Sequence, residues 1–462
     1  MTLIKSISGI RGTIGGPPSE NLTPLDAVKF AAAYGTWLRE YRQDSELTVV
    51  IGRDARLSGP MIQQLVSATL TGLGINVLDL GLSTTPTVEL AVPLENADGG
   101  IILTASHNPK QWNALKLLNE EGEFLDAGEG ARILEIAASE AFEFAEVDAL
   151  GKVRKLDNYI DIHVGKVLEL ELIDPEKIRQ KAFKVVVDGV CSSGGIAIPK
   201  LLRALGAEVV ELYCEPTGHF PHNPEPLKEH LGDLCQKVKE EGADFGIVVD
   251  PDVDRLAFIT EEGEMFGEEY TLVACADYVL GRTPGNTVSN LSSTRALRDV
   301  TENHGGSYAA SAVGEVNVVA LMKESGAVIG GEGNGGIIYP SSHYGRDALV
   351  GTALFLMLLV ETNLKVSALR ATYPAYYMGK KKIQLTPDLD VDRILSEMAG
   401  RYKDEHISTI DGVKIDFEEG WVHMRKSNTE PIIRIYTEAQ SDMQASALAD
   451  RFISELEEIS RL

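Results

Sequence analysis

The sequence predicts an α/β protein: three related α/β domains with mainly parallel mixed sheets, plus a smaller C-terminal α+β domain, around a central cleft. The first observation is length, because 462 residues are too many for one hydrophobic core. The second is a strand–turn–helix–strand pattern that recurs along the chain and is typical of βαβ units. The third is a C-terminal stretch in which several strands cluster between two helices.

The recurring pattern begins with a strand at 47–52, a helix at 60–73 and a strand at 74–78. A second copy runs from 183 to 212, and a third, weaker copy runs from 287 to 310. The C-terminal stretch shows helical patterns at 391–402 and 442–457, with strands at 413–417, 421–424 and 432–436 between them. We therefore predict four domains, with these residues: 1–153, 154–257, 258–367 and 368–462.

Composition excludes several classes of protein. A formal charge of -26 argues against a nucleic-acid-binding surface, so any bound anion requires a locally basic pocket. The four cysteines show no C-x-x-C spacing, which favours reduced thiols in a cytosolic protein. No signal pattern opens the chain, and the longest apolar run, 348–360, is shorter than the ~20 residues of a membrane span. We expect a cytoplasmic protein with no membrane partner and a core helix at 348–360.

The serine loop, residues 104–109, follows a short apolar run at 100–103 that predicts a buried strand. Asn108 and Pro109 end regular structure, because proline disfavours the helical conformation of the residue before it. Ser106 should therefore lie in a tight loop at the carboxyl end of a strand, where open α/β sheets place their chemistry. A hydroxyl needs a base or a metal to become a good nucleophile. His107 could be the base or could merely orient its neighbour.

The aspartate loop carries Asp250, Asp252 and Asp254 directly after the apolar strand predicted at 245–249. Three carboxylates at alternate positions can converge on one hard cation, and oxygen ligands favour Mg²⁺ or Ca²⁺ over zinc. The alternative is an acidic surface turn. The buried strand that leads into the loop and Arg255, which closes it and could bind a phosphate, both favour the metal site.

The glycine-rich stretch 330–336 follows another short predicted strand. Its glycines allow close approach of the backbone to a ligand. Glu332 and Asn334 stand among them and suit hydrogen bonds to sugar hydroxyls better than a phosphate cradle. Alone, this pattern is also that of an ordinary turn.

The arginine–serine loop, residues 425–431, lies between two predicted strands of the C-terminal domain. It combines cations, hydroxyls and an amide in one turn, which predicts a phosphate clamp. Its candidate ligands are Arg425, Ser427, Asn428 and Thr429, with Arg434 close behind. This is the basic pocket that the net charge requires.

Two further cations accompany these loops. Arg11 lies in a glycine-flanked turn near the start of the chain. Lys116 lies on an apolar strand ten residues after Ser106 and could accept a proton if desolvation lowers its pKa. A solvent-facing strand residue is the alternative for Lys116.

The four loops follow one another in an order that closely resembles the α-D-phosphohexomutase superfamily, four-domain enzymes that isomerise sugar 1-phosphates and 6-phosphates. The resemblance spans the whole chain. It implies that Ser106 is phosphorylated and binds Mg²⁺ together with the three aspartates. It further implies proton transfer and phosphate binding by Lys116 and Arg11, sugar selection by Glu332, and binding of the non-reacting phosphate by the arginine–serine loop.

The resemblance also implies a hexose 1,6-bisphosphate as intermediate and activator, in a monomer or homodimer. The Gly-Glu-x-Asn-Gly-Gly pattern at 331–336 is similar to the branch that includes archaeal phosphoglucosamine mutases. Glu315 stands where some members carry histidine. Glucosamine phosphate is therefore the first choice of substrate, with mannose or glucose phosphate as the alternative. A non-catalytic sugar-phosphate-binding relative and a metal-dependent phosphatase are the competing interpretations.

Overall fold

The computed structural model describes residues 2–6, 9–42, 46–384, 390–426 and 432–460. They form four consecutive units, which we call domains I to IV, and all four contribute side chains to one cleft. The predicted fold class is confirmed.

Domain I is a mixed sheet flanked by helices. Its strands lie in the order β1-β2-β6-β5-β3-β4-β7, with β3 parallel to both β4 and β5, and β6 antiparallel to β5. Its elements are β1 (Ile4–Ser6), β2 (Gly9–Thr13), α1 (Pro24–Arg42), β3 (Thr48–Arg53), α2 (Gly59–Gly72), β4 (Asn76–Leu82), α3 (Thr85–Leu94), β5 (Gly99–Leu103), β6 (Trp112–Leu118), α4 (Ala127–Ser139) and β7 (Val153–Lys155).

Domain II has the strand order β11-β10-β8-β9, in which only the β10–β11 pair is antiparallel. Its elements are α5 (Tyr159–Leu168), α6 (Pro175–Lys181), β8 (Lys184–Asp188), α7 (Gly194–Ala204), β9 (Glu208–Leu212), α8 (Gly232–Glu241), β10 (Phe245–Val249) and β11 (Leu256–Thr260).

Domain III has the order β13-β12-β14-β15, with only β14–β15 antiparallel. Its elements are α9 (Glu268–Leu280), β12 (Thr287–Asn290), α10 (Ala296–Asn303), β13 (Tyr308–Ser311), α11 (Glu315–Ser325), β14 (Ile329–Glu332), β15 (Gly336–Ile338), α12 (Ala348–Thr362) and α13 (Val366–Arg370).

Domain IV is an antiparallel sheet in the order β16-β20-β19-β18-β17, packed against two helices. Its elements are β16 (Tyr377–Gln384), α14 (Val391–Arg401), β17 (His406–Ser408), β18 (Val413–Asp416), β19 (Gly420–Lys426), β20 (Ile432–Ala439) and α15 (Asp442–Ser460). The predicted boundaries near 153 and 257 fall within strands of the preceding sheets, and the boundary near 367 falls within α13. We therefore propose to place the three boundaries after Lys155, Thr260 and Arg370.

The first three domains repeat one topology. In each, a first strand pairs in parallel with a second and a third, and an antiparallel fourth strand pairs with the third. The third strands are β5, β10 and β14, and the serine, aspartate and glycine-rich loops each lie where one of them ends. The repeat thus places three chemically different loops at the same edge of three similar sheets, as expected for the carboxyl ends of parallel strands.

The hydrophobic cores divide the chain differently from the sheets. Domains II and III share one core, in which α12 is almost fully buried, whereas domain IV has a core of its own. The prediction that the run at 348–360 is a core helix is therefore confirmed. Within the described residues, none of the helices is both long and apolar enough to cross a lipid bilayer. The four cysteines are free thiols, as the sequence predicts.

Candidate active site

Ser106 lies in the tight loop that the sequence predicts, directly beyond β5. Its backbone is in the left-handed region (φ 50°), and its amide donates a hydrogen bond to Thr104 Oγ1 at 2.9 Å. The Ser106 hydroxyl donates to Asp250 Oδ2 at 2.7 Å. The predicted serine and aspartate loops therefore meet, although 144 residues separate them in the sequence.

Arg56 holds the serine loop in place, and the sequence analysis missed it. This fully buried guanidinium pairs with Asp54 at 2.9 Å and donates to the backbone carbonyls of Ser106, Asn108, Pro109 and Trp112. Arg56 and Asp54 belong to the polar turn after β3, at the same sheet edge as the serine loop. That turn was visible in the sequence, but nothing in its spacing showed which carbonyls it would contact.

Asp250, Asp252 and Asp254 are buried, and one oxygen of each lies within 4.8 Å of the others. Burial and the neighbouring carboxylates raise the pKa of Asp250 well above its usual range. Asp252 Oδ1 and Asp254 Oδ1 are buried and accept no hydrogen bond from the residues that the structure describes. Because converging carboxylates with unsatisfied buried oxygens are costly, this oxygen-only donor set fits Mg²⁺.

Two cations border the aspartate loop. Lys116 Nζ lies 2.8 Å from Asp252 Oδ2 and 3.3 Å from Asp254 Oδ2, and Arg346 lies 2.7 Å from Asp254 Oδ2. Burial alone would lower the pKa of Lys116, but Asp252 and Asp254 outweigh it and raise that pKa. The lowered pKa on which our proton-acceptor interpretation of Lys116 depends is therefore not observed. The solvent-facing alternative is wrong, because Lys116 is 5% exposed, and a role of Lys116 in proton transfer stays a prediction.

Arg346 also joins the aspartate loop to the glycine-rich loop. It lies 2.7 Å from Glu332 Oε2 and 3.1 Å from Glu315 Oε2, in addition to its contact with Asp254. Its three carboxylate neighbours raise the pKa of Arg346, although burial opposes them. The sequence analysis missed Arg346 and noted Glu315 only as a departure from a common histidine.

Glu332 is the last residue of β14, so the glycine-rich stretch begins as a strand rather than as a loop. Its carboxylate accepts hydrogen bonds from Arg346, from Asn290 Nδ2 at 2.8 Å and from Asn334 Nδ2 at 3.3 Å. Burial would raise the pKa of Glu332, but Arg346 and the amide donors lower it. Glu332 and Asn334 therefore form a fixed, ionised wall of the cleft.

The cleft has a volume of about 1020 Å³ and is lined by side chains from all four domains. Arg11, His107 and Arg255 line it, and Arg11 donates to Asn108 Oδ1 at 3.0 Å. Arg11 lies on β2 rather than in the predicted turn. His107 Nδ1 lies 3.4 Å from Ser106 Oγ. Burial, Arg255 and Arg11 lower the pKa of His107 well below its usual range, which keeps the imidazole neutral.

Domain IV contributes the other end of the cleft. Arg425 on β19 and Arg434 on β20 are cross-strand partners, and both line the cavity together with Lys380 of β16. The predicted clamp residues Ser427, Asn428 and Thr429 lie outside the described residues. Among the described residues, these three cations lie where the sequence predicts an anion pocket, and the binding of an anion there stays a prediction.

Domain IV contacts domain III through polar and charged side chains beside the cleft. His423 lies between Ser292 Oγ at 2.8 Å and the Asp411 carbonyl at 2.6 Å. Lys414 Nζ donates to the Leu291 carbonyl at 2.9 Å, and the Val313 amide donates to Asp411 Oδ2 at 3.0 Å.

Comparison with known proteins agrees with this architecture. Models of the phosphoglucomutase/phosphomannomutase family match the chain in four segments: alpha/beta/alpha domain I at 3–144, domain II at 158–263, domain III at 267–376 and the C-terminal domain at 382–455. A phosphoglucomutase/phosphomannomutase of Thermococcus kodakarensis is 37% identical over 97% of this chain and 98% of its own. A probable phosphoglucosamine mutase of Methanopyrus kandleri is 34% identical over 96% of each chain.

Among solved structures, a phosphoglucomutase/phosphomannomutase family protein from Burkholderia thailandensis superposes with a TM-score of 0.84 at 28% identity. The match covers 99% of this chain and 98% of that one. Four domain models in order, relatives above 30% identity over nearly the whole chain and the shared fold lead to one conclusion. The chain belongs to the phosphoglucomutase/phosphomannomutase family, within the α-D-phosphohexomutase superfamily, and is an isomerase of the phosphohexomutase class.

Proposed function

We propose that this phosphohexomutase interconverts hexose 6-phosphate and hexose 1-phosphate through a phosphorylated Ser106 and a hexose 1,6-bisphosphate intermediate. The observation that carries the proposal is the 2.7 Å contact between Ser106 Oγ and Asp250, beside a cleft with cations at both ends. All of these cations line the cavity, and we assign Arg11 and Arg255 to the reacting end and Arg425 and Arg434 of domain IV to the distal end. Two phosphate sites on either side of a sugar site are what a bisphosphate requires.

Asp250, Asp252, Asp254 and the phosphorylated Ser106 are the ligands that we propose for Mg²⁺. The bound ion supplies neutralisation of the charge on the transferring phosphoryl group, which is the main requirement of such a transfer. Asp250 additionally accepts hydrogen bonds from the Asp254 and Arg255 amides at 3.2 and 3.1 Å. The loop is therefore held in a converging geometry by its own backbone.

In the first step, the bond between Ser106 Oγ and phosphorus breaks as a bond forms between phosphorus and the free sugar hydroxyl oxygen. The hydroxyl proton passes to a basic side chain, and Ser106 Oγ takes up a proton as it leaves phosphorus, which restores the hydroxyl that donates to Asp250. The sequence analysis gives Lys116 and His107 as candidates for this base. The neutral His107 lies 3.4 Å from Ser106 Oγ. The bisphosphate then turns end for end, and its other phosphoryl group returns to Ser106 by the reverse reaction. Arg425 and Arg434 bind the phosphate that does not react.

For the substrate, we propose glucosamine phosphate, with glucose or mannose phosphate as the alternative. Relatives above 30% identity carry both kinds of name, so the family alone does not choose. The Gly-Glu-x-Asn-Gly-Gly pattern, with Asn334 against Glu332, supports the amino-sugar branch. A cytoplasmic location and a monomeric or homodimeric state remain predictions.

Replacement of the proposed nucleophile tests the mechanism. In a coupled assay with Mg²⁺ and a trace of hexose 1,6-bisphosphate, Ser106→Ala should lower kcat at least about 1,000-fold, because the phosphoryl carrier is lost. Ser139→Ala, at an exposed position of α4, is the matched control and should retain wild-type activity. Full activity of Ser106→Ala would contradict the mechanism. Release of inorganic phosphate as fast as isomerisation would favour a phosphatase, and binding without turnover would favour a non-catalytic relative.

A further inference from the structure

Among the residues that the structure describes, three glutamates line the cleft, and one of them differs from the other two. Glu225 lies 3.4 Å from an Arg255 nitrogen, and Glu332 lies 2.7 Å from an Arg346 nitrogen. Glu269, in the first turn of α9, has no lysine or arginine nitrogen within 4 Å among the residues that the structure describes. Glu269 is therefore a cleft carboxyl group whose charge no described side chain neutralises by direct contact.

Glu269 also lies against the glycine-rich loop at 330–336. A Cβ atom at Gly333 would come within 1.9 Å of Glu269 Oε2, so the glycine is what allows the carboxyl group to approach the loop. The Thr294 amide donates to Glu269 Oε2 at 2.9 Å and fixes the direction of the group. Only 7% of Glu269 is exposed, and it borders the same cavity as Glu332 and Asn334.

The surroundings of Glu269 disfavour its charged form. Burial, with smaller contributions from Glu268 and Glu438 and against the opposing effect of Lys380, raises the pKa of Glu269 to about 8. Lys380 itself pairs with Glu268 at 3.3 Å. A carboxyl group of this kind gains most from a ligand that brings a positive charge to it.

A hexose phosphate offers such a charge only when one hydroxyl is replaced by an amine, which is protonated at neutral pH. We propose that Glu269 binds the ammonium group of an amino-hexose phosphate and thereby sets the preference of the cleft for amino sugars. This inference rests on the proposed mutase function. A site built for one charged group discriminates strongly against analogues that lack it, because its own group then stays unpaired.

The test compares kcat/KM for glucosamine 1-phosphate and glucose 1-phosphate in wild type, Glu269→Gln and Glu302→Gln. Glu302 is an exposed residue of α10 in the same domain, so Glu302→Gln makes the same chemical change away from the cleft. The ratio of kcat/KM for glucosamine to glucose should fall about 10- to 100-fold in Glu269→Gln, the range for a lost charge-assisted hydrogen bond. The ratio should not change in Glu302→Gln.

A second measurement detects the proton that Glu269 should release when it pairs with the ammonium group. At pH 7, calorimetry of glucosamine 6-phosphate binding in two buffers of different ionisation enthalpy should show about one proton more released by wild type than by Glu269→Gln. The reason is that a group with a pKa of about 8 must ionise to pair with the ammonium group. Glucose 6-phosphate should show no such difference between the two proteins.

The outcomes separate the two proposals. An equal loss on both sugars in Glu269→Gln, or no loss on either, overturns the contact with the ammonium group and leaves the mutase mechanism standing. A wild-type enzyme that isomerises glucose phosphate but not glucosamine phosphate overturns both the contact and the amino-sugar preference. A wild-type enzyme that isomerises neither sugar phosphate contradicts the proposed function itself.

Discussion

The two ends of the cleft are built differently. At the reacting end, Ser106 and the three aspartates are buried and are held by the buried cations Arg56, Lys116 and Arg346. At the distal end, the cations stand on the sheet of domain IV, whose hydrophobic core is separate from the core that domains II and III share.

A mutase requires a fixed geometry where the phosphoryl group is transferred and room for the bisphosphate to turn. The two ends of the cleft suit these two requirements separately. The reacting end is preorganised before any substrate arrives, because buried ion pairs of Arg56, Lys116 and Arg346 hold its loops, although two buried aspartate oxygens have no hydrogen-bond donor among the described residues. The distal end depends on a polar interface between domains III and IV, and such interfaces permit relative motion more readily than large apolar ones. We therefore expect that domain IV moves when the bisphosphate turns, while the reacting end keeps its geometry.

The largest effect should come from the buried network at the reacting end. Arg346→Gln leaves Asp254, Glu332 and Glu315 without their shared cation, and an uncompensated buried charge typically costs about 3–5 kcal/mol. Native-state hydrogen exchange of the β10 and β14 amides in the absence of Mg²⁺ measures this loss. Arg298→Gln, at a partly exposed position of α10, is the control and should change the same amides by less than about 0.5 kcal/mol. Equal values for the two variants would mean that the reacting end does not depend on Arg346.

The contrast between the two ends also shows what a sequence reveals. The three βαβ repeats and most elements of domain IV follow local periodicity, so the pattern predicted them to within a few residues. Other elements, such as α1 (Pro24–Arg42) and α9 (Glu268–Leu280), were not predicted. The chemical loops were predictable because each follows an apolar strand. The residues that the sequence analysis missed are those whose contact partners lie far away in the sequence. Arg346 lies 92 positions from Asp254, and Arg56 lies 50 positions from Ser106.

Electrostatics at a contact between domains was the least predictable property. Lys116 was considered as a base because burial lowers the pKa of a lysine, but two carboxylates of domain II reverse the direction. Glu269 carried no signal at all, since its meaning depends on Gly333 lying against it and on which cations lie elsewhere. In both cases the pKa depends on contacts between domains, and the spacing of residues within one segment of the chain does not reveal those contacts.

A medium effect is expected from the distal end. Arg425→Ala removes a cation that lies 3.1 Å from Asp411 and borders the cavity. If Arg425 binds the non-reacting phosphate equally in ground and transition states, KM should rise about 10- to 100-fold while kcat changes less than about threefold. Steady-state kinetics with glucosamine 1-phosphate measure both constants. Arg401→Ala, at an exposed position of α14, is the matched control, and a fall in kcat with constant KM would place Arg425 at the reacting end instead.

The smallest effect should appear in the interface that attaches domain IV. Burial lowers the pKa of His423 to about 4, below the ordinary value of about 6.5. Between these two pH values the exposed imidazole binds a proton that the buried one does not, so stability rises with pH across this window and is lost as the pH falls. A change from pH 7 to pH 5 should therefore cost about 1–2 kcal/mol through this residue.

His423→Asn should remove that contribution while it keeps an acceptor for the Ser292 hydroxyl. The measurement is the difference in urea unfolding between pH 7 and pH 5, compared among wild type, His423→Asn and His406→Asn. His406 is 84% exposed in the same domain, so its replacement should leave the pH dependence as in wild type. If His423→Asn keeps the full pH dependence as well, His423 does not govern the attachment of domain IV.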